Sequence, residues 1–557
     1  MNQKICAVAV SLLLGTGILS AQAKTILLVP QDDRPVSLTY TVSTAEKAGY
    51  TVLTPPIAYL SGKDFRGNPD QVWSWLQQNM GKADAAILST DTLIYGGLVD
   101  SRKHNESLDT LMRRENRIKN LHAEYPNVPI YAFGTIMRTP YASGGGVEPF
   151  YYSSYGQTLY QISSLQDKMD LGVITTDETA ELLSLKLSIP SEYLQDWFKR
   201  RSKNMTINRM LIRDTRDGIF TYFCEGHDDN SKHSQSALEV RYLDASAEDL
   251  PSSKFGSFPG ADQLALLLIA RYHNDLHHAA PSFSVIYPLG RAEDTVPSYE
   301  NQPIGETIRQ HIEATGSTIS HGKRPDIVLA VNTPISSTGE SGQFSNFGMM
   351  KPSTTEFIDH VKKVINQGIP VSMVDVYFAN GSDNTLMNLM KKDNLLYKIT
   401  AYNGWNTASN TIGYAIAQAI LAPEMKESDR KNMLTEQYLD NWAYQANIRK
   451  KMIRMAGNST DPKPSPKIKT EMIAQLQEFA KKNLGVNPAT VTADFPWNRF
   501  FEINAVVSSS PKFTVYQTEA EKYRLAEEAA KKKAMQEKAN KESAEKQSSP
   551  LPDSSKK

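Results

Sequence analysis

The sequence is poor in cysteine and has no excess of charge of either sign. Only Cys6 and Cys224 are cysteines among its 557 residues, and 61 basic side chains balance 61 acidic ones. We predict that Cys6 is removed with a signal peptide, which leaves Cys224 without a disulfide partner and excludes a cysteine-based metal site. A nucleic-acid-binding protein usually carries a basic excess, so the balanced charge argues against a nucleic-acid partner.

Long apolar runs are also absent beyond the start of the chain. Lys4 precedes an apolar segment at residues 7–19, and the sequence Ala-Gln-Ala at residues 21–23 has the small-x-small pattern of a cleavage site. Residues 1–23 are therefore predicted to be a secretory signal peptide, which implies export to the periplasm or the extracellular space. No later stretch contains about 18 consecutive apolar residues, so we predict no transmembrane segment in the exported chain.

Several well-known motifs are missing. The chain has no Gly-x-Gly-x-x-Gly after its first strand, no Gly-Lys-Ser/Thr phosphate loop, no Gly-x-Ser-x-Gly and no His-Glu-x-x-His. Their absence argues against a nucleotide cofactor, against a serine hydrolase with a nucleophile elbow and against a zinc protease of that type.

What the chain does contain is a series of short apolar runs, each followed by polar residues. Residues 25–29 are typical of a strand buried on both faces, and Asp32, Asp33 and Arg34 follow it closely. Ligands of open α/β sheets bind outside the carboxyl ends of the strands, so charged side chains at this point are well placed for chemistry. The alternative is a turn with an internal Asp–Arg ion pair.

Strand patterns alternate with helical patterns, which predicts parallel sheets with helices on their faces. More than eight strand candidates favour an α/β fold with two Rossmann-like or flavodoxin-like parallel-sheet domains and a helical C-terminal region. The alternative is a single (β/α)8 barrel with insertions. The predicted segments are the signal peptide (1–23), an N-terminal α/β domain (24–280) with a helical insertion (about 160–217), a second α/β domain (281–423), a helical region (424–515) and a charged tail that is disordered or a fraying helix (516–557).

Polar side chains follow the other predicted strands as well. A second acidic pair, Asp228 and Asp229, comes after a strand predicted at residues 219–224. The remaining candidates for substrate binding are Asp91, Tyr95, Arg102, Arg138, Asn332, Asp375, Asn380, Asp383, Asn403, Trp405 and Asn406. If all the strands are parallel, these groups line the carboxyl edges of their sheets. Asp262 precedes a helix predicted at 263–272, and we interpret it as a helix cap rather than as a catalytic group.

These residue types leave three functions open. The first is a secreted hydrolase acting on a carbohydrate or cell-wall glycan fragment, in which carboxylates of the two acidic pairs act as acid and base. Arg34, Arg102 and Arg138 would then orient an anionic group or a developing charge, while amides and aromatic rings bind the sugar. The second is a two-lobed periplasmic solute-binding protein without catalysis. The third is a metal-dependent enzyme that holds a divalent cation through oxygen ligands, and no other cofactor is indicated.

Five segments stand out in chain order. They are Leu28-Val-Pro-Gln-Asp-Asp-Arg-Pro35, residues 89–102, Pro259-Gly-Ala-Asp262, Asn380-Gly-Ser-Asp383 and Gly404-Trp-Asn-Thr-Ala-Ser-Asn410. Together they resemble an uncharacterised bacterial family, domain of unknown function 4127, over residues 24–440. Residues 226–229 are similar to the Gly-x-Asp-Asp pattern of that family, whereas Gln263 stands where the family pattern has an acidic residue. The resemblance implies that these segments form one unit and implies no particular activity.

Overall fold

The computed structural model describes residues 23–508, apart from residues 142–145, 289–291, 349–350 and 458–461, together with residue 535. The predicted signal peptide lies outside the described residues except for its last residue, and the predicted charged tail lies outside them except for Met535.

The strands are short and lie mainly in two sheets. Along the chain they are β1 (Thr25–Val29), β2 (Thr51–Leu53), β3 (Ala85–Ser89), β4 (Ile130–Ile136), β5 (Tyr222–His227), β6 (Phe255–Pro259), β7 (Ser282–Ile286), β8 (Thr318–Ile319), β9 (Ile327–Asn332), β10 (Gly339–Glu340), β11 (Val371–Asp375), β12 (Phe378–Ala379), β13 (Ala401–Asn403), β14 (Val491–Asp494) and β15 (Asn504–Val507).

The first sheet has six strands in the order β2-β1-β3-β4-β5-β6, and the second has five in the order β13-β11-β9-β7-β8. Every neighbouring pair in these two sheets is parallel. A short parallel pair joins β10 to β12, and β14 and β15 form an antiparallel hairpin. The fold is therefore mixed α/β with two parallel sheets, as predicted, and two separate open sheets exclude the single-barrel alternative.

Helices connect and cover the strands. They are α1 (Thr39–Lys47), α2 (Pro69–Asn79), α3 (Thr90–Ile94), α4 (Leu98–Lys103), α5 (Leu108–Glu124), α6 (Tyr152–Asp170), α7 (Thr176–Ser188), α8 (Ser191–Arg216), α9 (Gln235–Ser246), α10 (Leu264–His277), α11 (Ile304–Ala314), α12 (Pro352–Asn366), α13 (Asn384–Lys392), α14 (Ala408–Leu421), α15 (Glu427–Gln437), α16 (Arg449–Met455) and α17 (Pro466–Phe479). A π-helix, Tyr438–Ile448, joins α15 to α16, and a second one, Ala480–Leu484, follows α17. Helices α6 to α8 cover the segment predicted as a helical insertion.

The main core lies between the two sheets, around α10 and α14. All residues of α14 are buried, and so is α10 from Leu264 to Asn274. A helix that is apolar all round belongs inside a large protein. The hydrophobic cluster around these helices includes Ile26 of β1 in the first sheet and Val331 of β9 in the second. The two sheets therefore share one core.

The C-terminal hairpin returns to the beginning of the chain. The hydroxyl of Tyr40 on α1 donates to the backbone oxygen of Ile503 at 3.3 Å and accepts from the amide of Ala505 at 2.9 Å. The sequence predicts a helix-rich region at 424–515, and α15 to α17 agree with that prediction. It does not predict β14 and β15, since each has only four residues and strands this short give a weak pattern.

Among the described residues, no helix combines the length and the apolar character that crossing a bilayer requires.

Candidate functional site

A polar cleft of about 270 Å³ receives side chains from both series of strands and from the C-terminal hairpin. From the first series it is lined by Arg34 after β1, Arg102 on α4, Arg138 after β4, Asp228 and Asp229 after β5, and Asp262 after β6. From the rest of the chain it is lined by Tyr299, Asn380, Asn406, Trp497 and Arg499, among others. Seven of the residues predicted at strand ends therefore meet here.

Arg34 lies between two carboxylates. Its Nε donates to Asp32 Oδ2 at 2.9 Å, and its Nη2 donates to Asp262 Oδ1 at 2.5 Å. Asp32 is fully buried and does not line the cleft, whereas Asp262 does. Burial raises the pKa of Asp262 to about 6, against the opposing effect of the Arg34 cation, and the negative charges of Asp32 and Asp228 add to the rise. Asp262 therefore binds a proton much more tightly than an ordinary carboxylate.

The interpretation of Asp262 as a helix cap is wrong. Helix α10 begins at Leu264 with Gln263 at its N-cap position, where no side chain makes a capping bond. The carboxylate of Asp262 instead accepts from Arg34 and from Asn406 Nδ2, the latter at 3.3 Å. Because Arg34 and Asp262 are 228 residues apart, no local pattern in the sequence indicates this pairing.

The second acidic pair is also bound by arginines. Arg102 Nη2 donates to Asp228, and Arg138 Nη1 donates to Asp229 Oδ2 at 2.5 Å. Behind them Glu148, which the sequence does not indicate, accepts from Arg138 Nε at 2.6 Å and lies 3.6 Å from Arg102 Nη1. Burial raises the pKa of Asp229, with Arg138 acting in the opposite direction. Arginines and carboxylates thus alternate along this wall of the cleft.

The strand before this acidic pair lies three residues later than predicted. Residues 219–224 form the apolar run, but β5 is Tyr222–His227. Its last residues, Glu225 and His227, are polar and still buried, so apolarity alone does not mark the end of the strand. Burial lowers the pKa of His227 to about 3, which leaves its imidazole neutral beside Asp228. Asp228 is then the first residue beyond the strand.

Trp497 of the C-terminal hairpin closes one side of the cleft. Its Nε1 donates to Asp33 Oδ1 at 2.6 Å. The guanidinium carbon of Arg34 lies 5.1 Å from the centre of its ring, and that of Arg499 lies 4.5 Å away. The backbone of Trp497 is left-handed, with φ 57°, which is unusual for a bulky residue and indicates that its surroundings hold it in place. Asp33 itself does not line the cleft.

Close backbone packing positions the short helix that carries Arg102. Gly96 precedes α4 with φ 115°, a conformation that favours glycine. A Cβ atom on Gly67 would lie 1.9 Å from the backbone oxygen of Gly96. The chain can therefore turn into α4, and bring Arg102 to Asp228, only because both positions lack side chains.

Three predicted residues, Asn332, Asp375 and Asp383, form a separate cluster at the carboxyl edge of the second sheet. Asn332 Nδ2 donates to Asp375 Oδ1 at 2.9 Å, and the amide of Asp383 donates to Asp375 Oδ2 at 2.8 Å. Lys351 Nζ lies 3.1 Å from Asp383 Oδ2. Burial, reinforced by the Asp383 carboxylate, raises the pKa of Asp375 to about 7. These three residues do not line the cleft, whereas Asn380 does.

The other predicted binding residues are buried behind the cleft or in the core. Asp91 accepts from Thr135 Oγ1 at 2.6 Å, and burial raises its pKa to about 7. Tyr95 is buried and stacks on His104, with ring centres 5.0 Å apart. Asn403 Nδ2 donates to Gln437 Oε1 at 2.8 Å, and the ring of Trp405 is part of the main core. None of these four side chains lines the cleft.

Within the part of the chain that the structure describes, no three His, Cys, Asp or Glu side chains come together in a way that would hold a metal ion. The described residues that line the cleft supply three carboxylates, four guanidinium groups, and amide and hydroxyl groups. Such a set can donate and accept protons and bind hydroxyl groups.

The chain is therefore a mixed α/β protein with two parallel sheets and a cleft lined by carboxylates and arginines. The model of a family described as "Protein of unknown function (DUF4127)" matches residues 26–505. The chain belongs to this family, which confirms the resemblance carried by the five sequence segments. No match to a curated protein was found.

Proposed function

We propose that the chain is a hydrolase that cleaves a glycosidic bond in the cleft, with Asp262 as the general acid and Asp228 as the general base or nucleophile. The observation that carries the proposal is that carboxylates with different surroundings line one small cavity. Burial raises the pKa of Asp262 to about 6, while Asp228 accepts a hydrogen bond from the Arg102 cation. Glycoside hydrolysis requires a carboxylic acid that donates a proton and a second carboxylate that acts as base or nucleophile, and its raised pKa suits Asp262 to the first role.

The surroundings of Asp262 suit the donation of a proton. A protonated Asp262 would transfer its proton to the leaving oxygen, and Arg34 Nη2, at 2.5 Å, would then stabilise the carboxylate that forms. On the side of the second acidic pair, Asp228 would activate water or attack the sugar carbon, with the hydrogen bond from Arg102 Nη2 holding its carboxylate in position. Arg138 plays the corresponding role for Asp229.

The remaining lining groups suit a neutral, polyhydroxylated substrate. Asn380 and Asn406 provide amides that both donate and accept hydrogen bonds, and Tyr299 provides a ring and a hydroxyl. The apolar face of a sugar ring packs on aromatic surfaces. Export through the predicted signal peptide would bring the protein to cell-wall or environmental glycans. The proposal therefore includes a periplasmic or extracellular location.

A solute-binding role without catalysis is the second candidate, because the cleft is lined from both series of strands. Binding proteins of this kind close two lobes around a hinge. Here α10 and α14 join both sheets in one continuous core, which disfavours a hinge between them. The metal-dependent alternative is less favoured, since the described residues contain no three-residue group suited to an ion.

The test is hydrolysis of a panel of 4-nitrophenyl glycosides and of purified cell-wall muropeptides by the wild type and three variants. Asp262→Asn and Asp228→Asn should each lower kcat/KM by about 10²- to 10⁴-fold, the usual contribution of a general acid or base. Asp375→Asn is the matched control, because Asp375 is also buried with a raised pKa and lies outside the cleft.

Equal activity in all four proteins would contradict the assignment of the catalytic groups. A sugar that raises the melting temperature of the wild type, with no turnover of any glycoside containing it, would instead favour the binding-protein candidate.

A further inference from the structure

A second cavity, of about 420 Å³, lies on the second half of the chain and shares no lining residue with the cleft. Asparagines and aromatic rings dominate its lining, and we call it the asparagine groove. The residues used below are Phe347, Asn384, Asn388, Trp442, Asn447 and Phe479. None of its twelve described lining residues is acidic, and Lys392 is the single cation among them.

The floor of the asparagine groove is held rigid by its own hydrogen bonds. Trp442 Nε1 and Asn447 Nδ2 both donate to Asn384 Oδ1, at 2.9 and 3.0 Å. The backbone amide of Asn384 donates to Asn346 Oδ1 at 2.9 Å. The ring of Phe479 meets that of Trp442 edge-on, with centres 4.8 Å apart. A ligand would therefore meet a preformed surface and lose little free energy in ordering it.

The rim of the groove, by contrast, is exposed. Phe347 lines the groove and is 52 % exposed. Asn388 on α13 also lines the groove and is exposed. An exposed ring flanked by amides offers a flat apolar surface together with groups that donate and accept hydrogen bonds.

We infer that the asparagine groove binds a neutral oligosaccharide. Sugar hydroxyl groups also donate and accept hydrogen bonds, and the C–H face of a sugar ring matches the exposed ring of Phe347. An extended peptide would need an open strand edge or apolar side-chain pockets, and the groove offers neither among its described lining residues, which are mostly side-chain amides and rings. Among the described lining residues, the absence of acidic groups and the single lysine favour an uncharged ligand over a strongly charged one.

One short segment of the chain contributes to both the groove and the cleft. Asn380, at the start of this segment, lines the cleft, and Asn384, four residues later, lines the groove. The inference goes beyond the proposed hydrolysis, because binding in the groove requires no bond cleavage. It can hold whether or not the cleft is catalytic.

The test measures binding of defined neutral glycans, namely the tetramers of β-1,4-linked N-acetylglucosamine, β-1,4-linked glucose and α-1,4-linked glucose, by isothermal titration calorimetry. At least one of them should bind to the wild type. Its dissociation constant should rise about tenfold in Phe347→Ala and in Asn388→Ala, as expected for the loss of one stacking or polar anchor. Phe344→Ala is the matched control, because Phe344 is 88 % exposed in the same short segment and does not line the groove.

A further variant separates the two sites. Asn406→Ala alters the cleft and should leave binding in the groove unchanged. The inference is overturned if no tetramer binds at millimolar concentration, if Asn406→Ala weakens binding while Phe347→Ala does not, or if only an uncharged Asn/Ser/Gly-rich hexapeptide binds with the Phe347 dependence. Failure of the proposed hydrolysis shows as absent turnover and leaves these binding constants untouched.

Discussion

At the scale of single residues, the proton on Asp262 decides the proposed chemistry. Because burial raises its pKa to about 6, the acid form is lost as the pH rises through this value. We expect kcat/KM for a cleaved glycoside to fall tenfold per pH unit above about pH 6, measured from pH 4 to 9. In Asp262→Asn the residual activity should not show this decrease at alkaline pH. If the decrease persists in Asp262→Asn, another group is the general acid.

Asp375, in the separate cluster, should affect stability rather than activity. Its pKa is about 7 in the folded protein and near 4 in an unfolded chain. Between these values the unfolded state releases the proton while the folded state keeps it, so the free energy of unfolding decreases as the pH rises from about 4 to about 7.

Asp375→Asn cannot ionise and should lack this loss of stability. We would measure the free energy of unfolding of both proteins in urea at pH 4.5 and at pH 8. The decrease of this free energy between the two pH values should be roughly 2 to 4 kcal/mol smaller in the variant. The same decrease in both proteins would mean that Asp375 keeps an ordinary pKa in the fold.

What the sequence predicts at the residue scale is limited by distance along the chain. Asp228 and Asp229 could be found because they follow an apolar run, a local pattern. Glu148 and the role of Asp262 could not, because tertiary packing brings Arg138, Arg102 and Arg34 to them. Asp383, a predicted binding residue near a strand end, serves as the N-cap of α13 and accepts from the amide of Thr385 at 3.0 Å.

At the scale of elements, the C-terminal hairpin is the segment most directly tied to the cleft. Truncating Trp497 to alanine removes a buried ring that contacts Arg34 and Arg499 and a donor to Asp33. We expect Trp497→Ala to lower the free energy of unfolding by about 3 to 5 kcal/mol, as for other buried large-to-small changes, and to reduce turnover in the cleft.

The variant Trp497→Phe separates the two contributions of this side chain. It keeps a ring against both arginines but cannot donate to Asp33. Its loss of unfolding free energy, measured in urea, should therefore be smaller than that of the alanine variant. Equal stability of all three proteins would show that the hairpin does not hold the cleft in solution.

The elements that the sequence predicts best have clear boundary residues. β1 spans the predicted residues 25–29, where an apolar run ends just before polar residues. Helices α9 and α13 are not predicted. Both follow the polar residues of a strand end, and Ser234 and Asp383 are their N-cap residues. Where a polar cluster both ends a strand and caps a helix, composition alone does not separate the two.

At the scale of the whole molecule, the alternation of strands and helices predicts two parallel sheets, and the structure has them. The way the sheets pack does not follow from that alternation. It depends on α10 and α14, whose residues are buried nearly all round and thereby connect the cores of both sheets. A local pattern indicates that such helices are buried but not which surfaces cover them.

A shared core predicts that the two sheets unfold together. Leu111 is fully buried on α5, in the cluster that covers the outer face of the first sheet. Leu111→Ala should lower the free energy of unfolding by roughly 2 to 5 kcal/mol. If α10 and α14 couple the sheets, native-state hydrogen exchange should show this loss in β9 of the second sheet as well as in β3 of the first.

Ile416→Ala on α14 is the reference variant, because a cavity between the sheets must affect both. Unchanged protection of β9 in Leu111→Ala would show that the sheets unfold independently, which would restore the hinge that a solute-binding role needs.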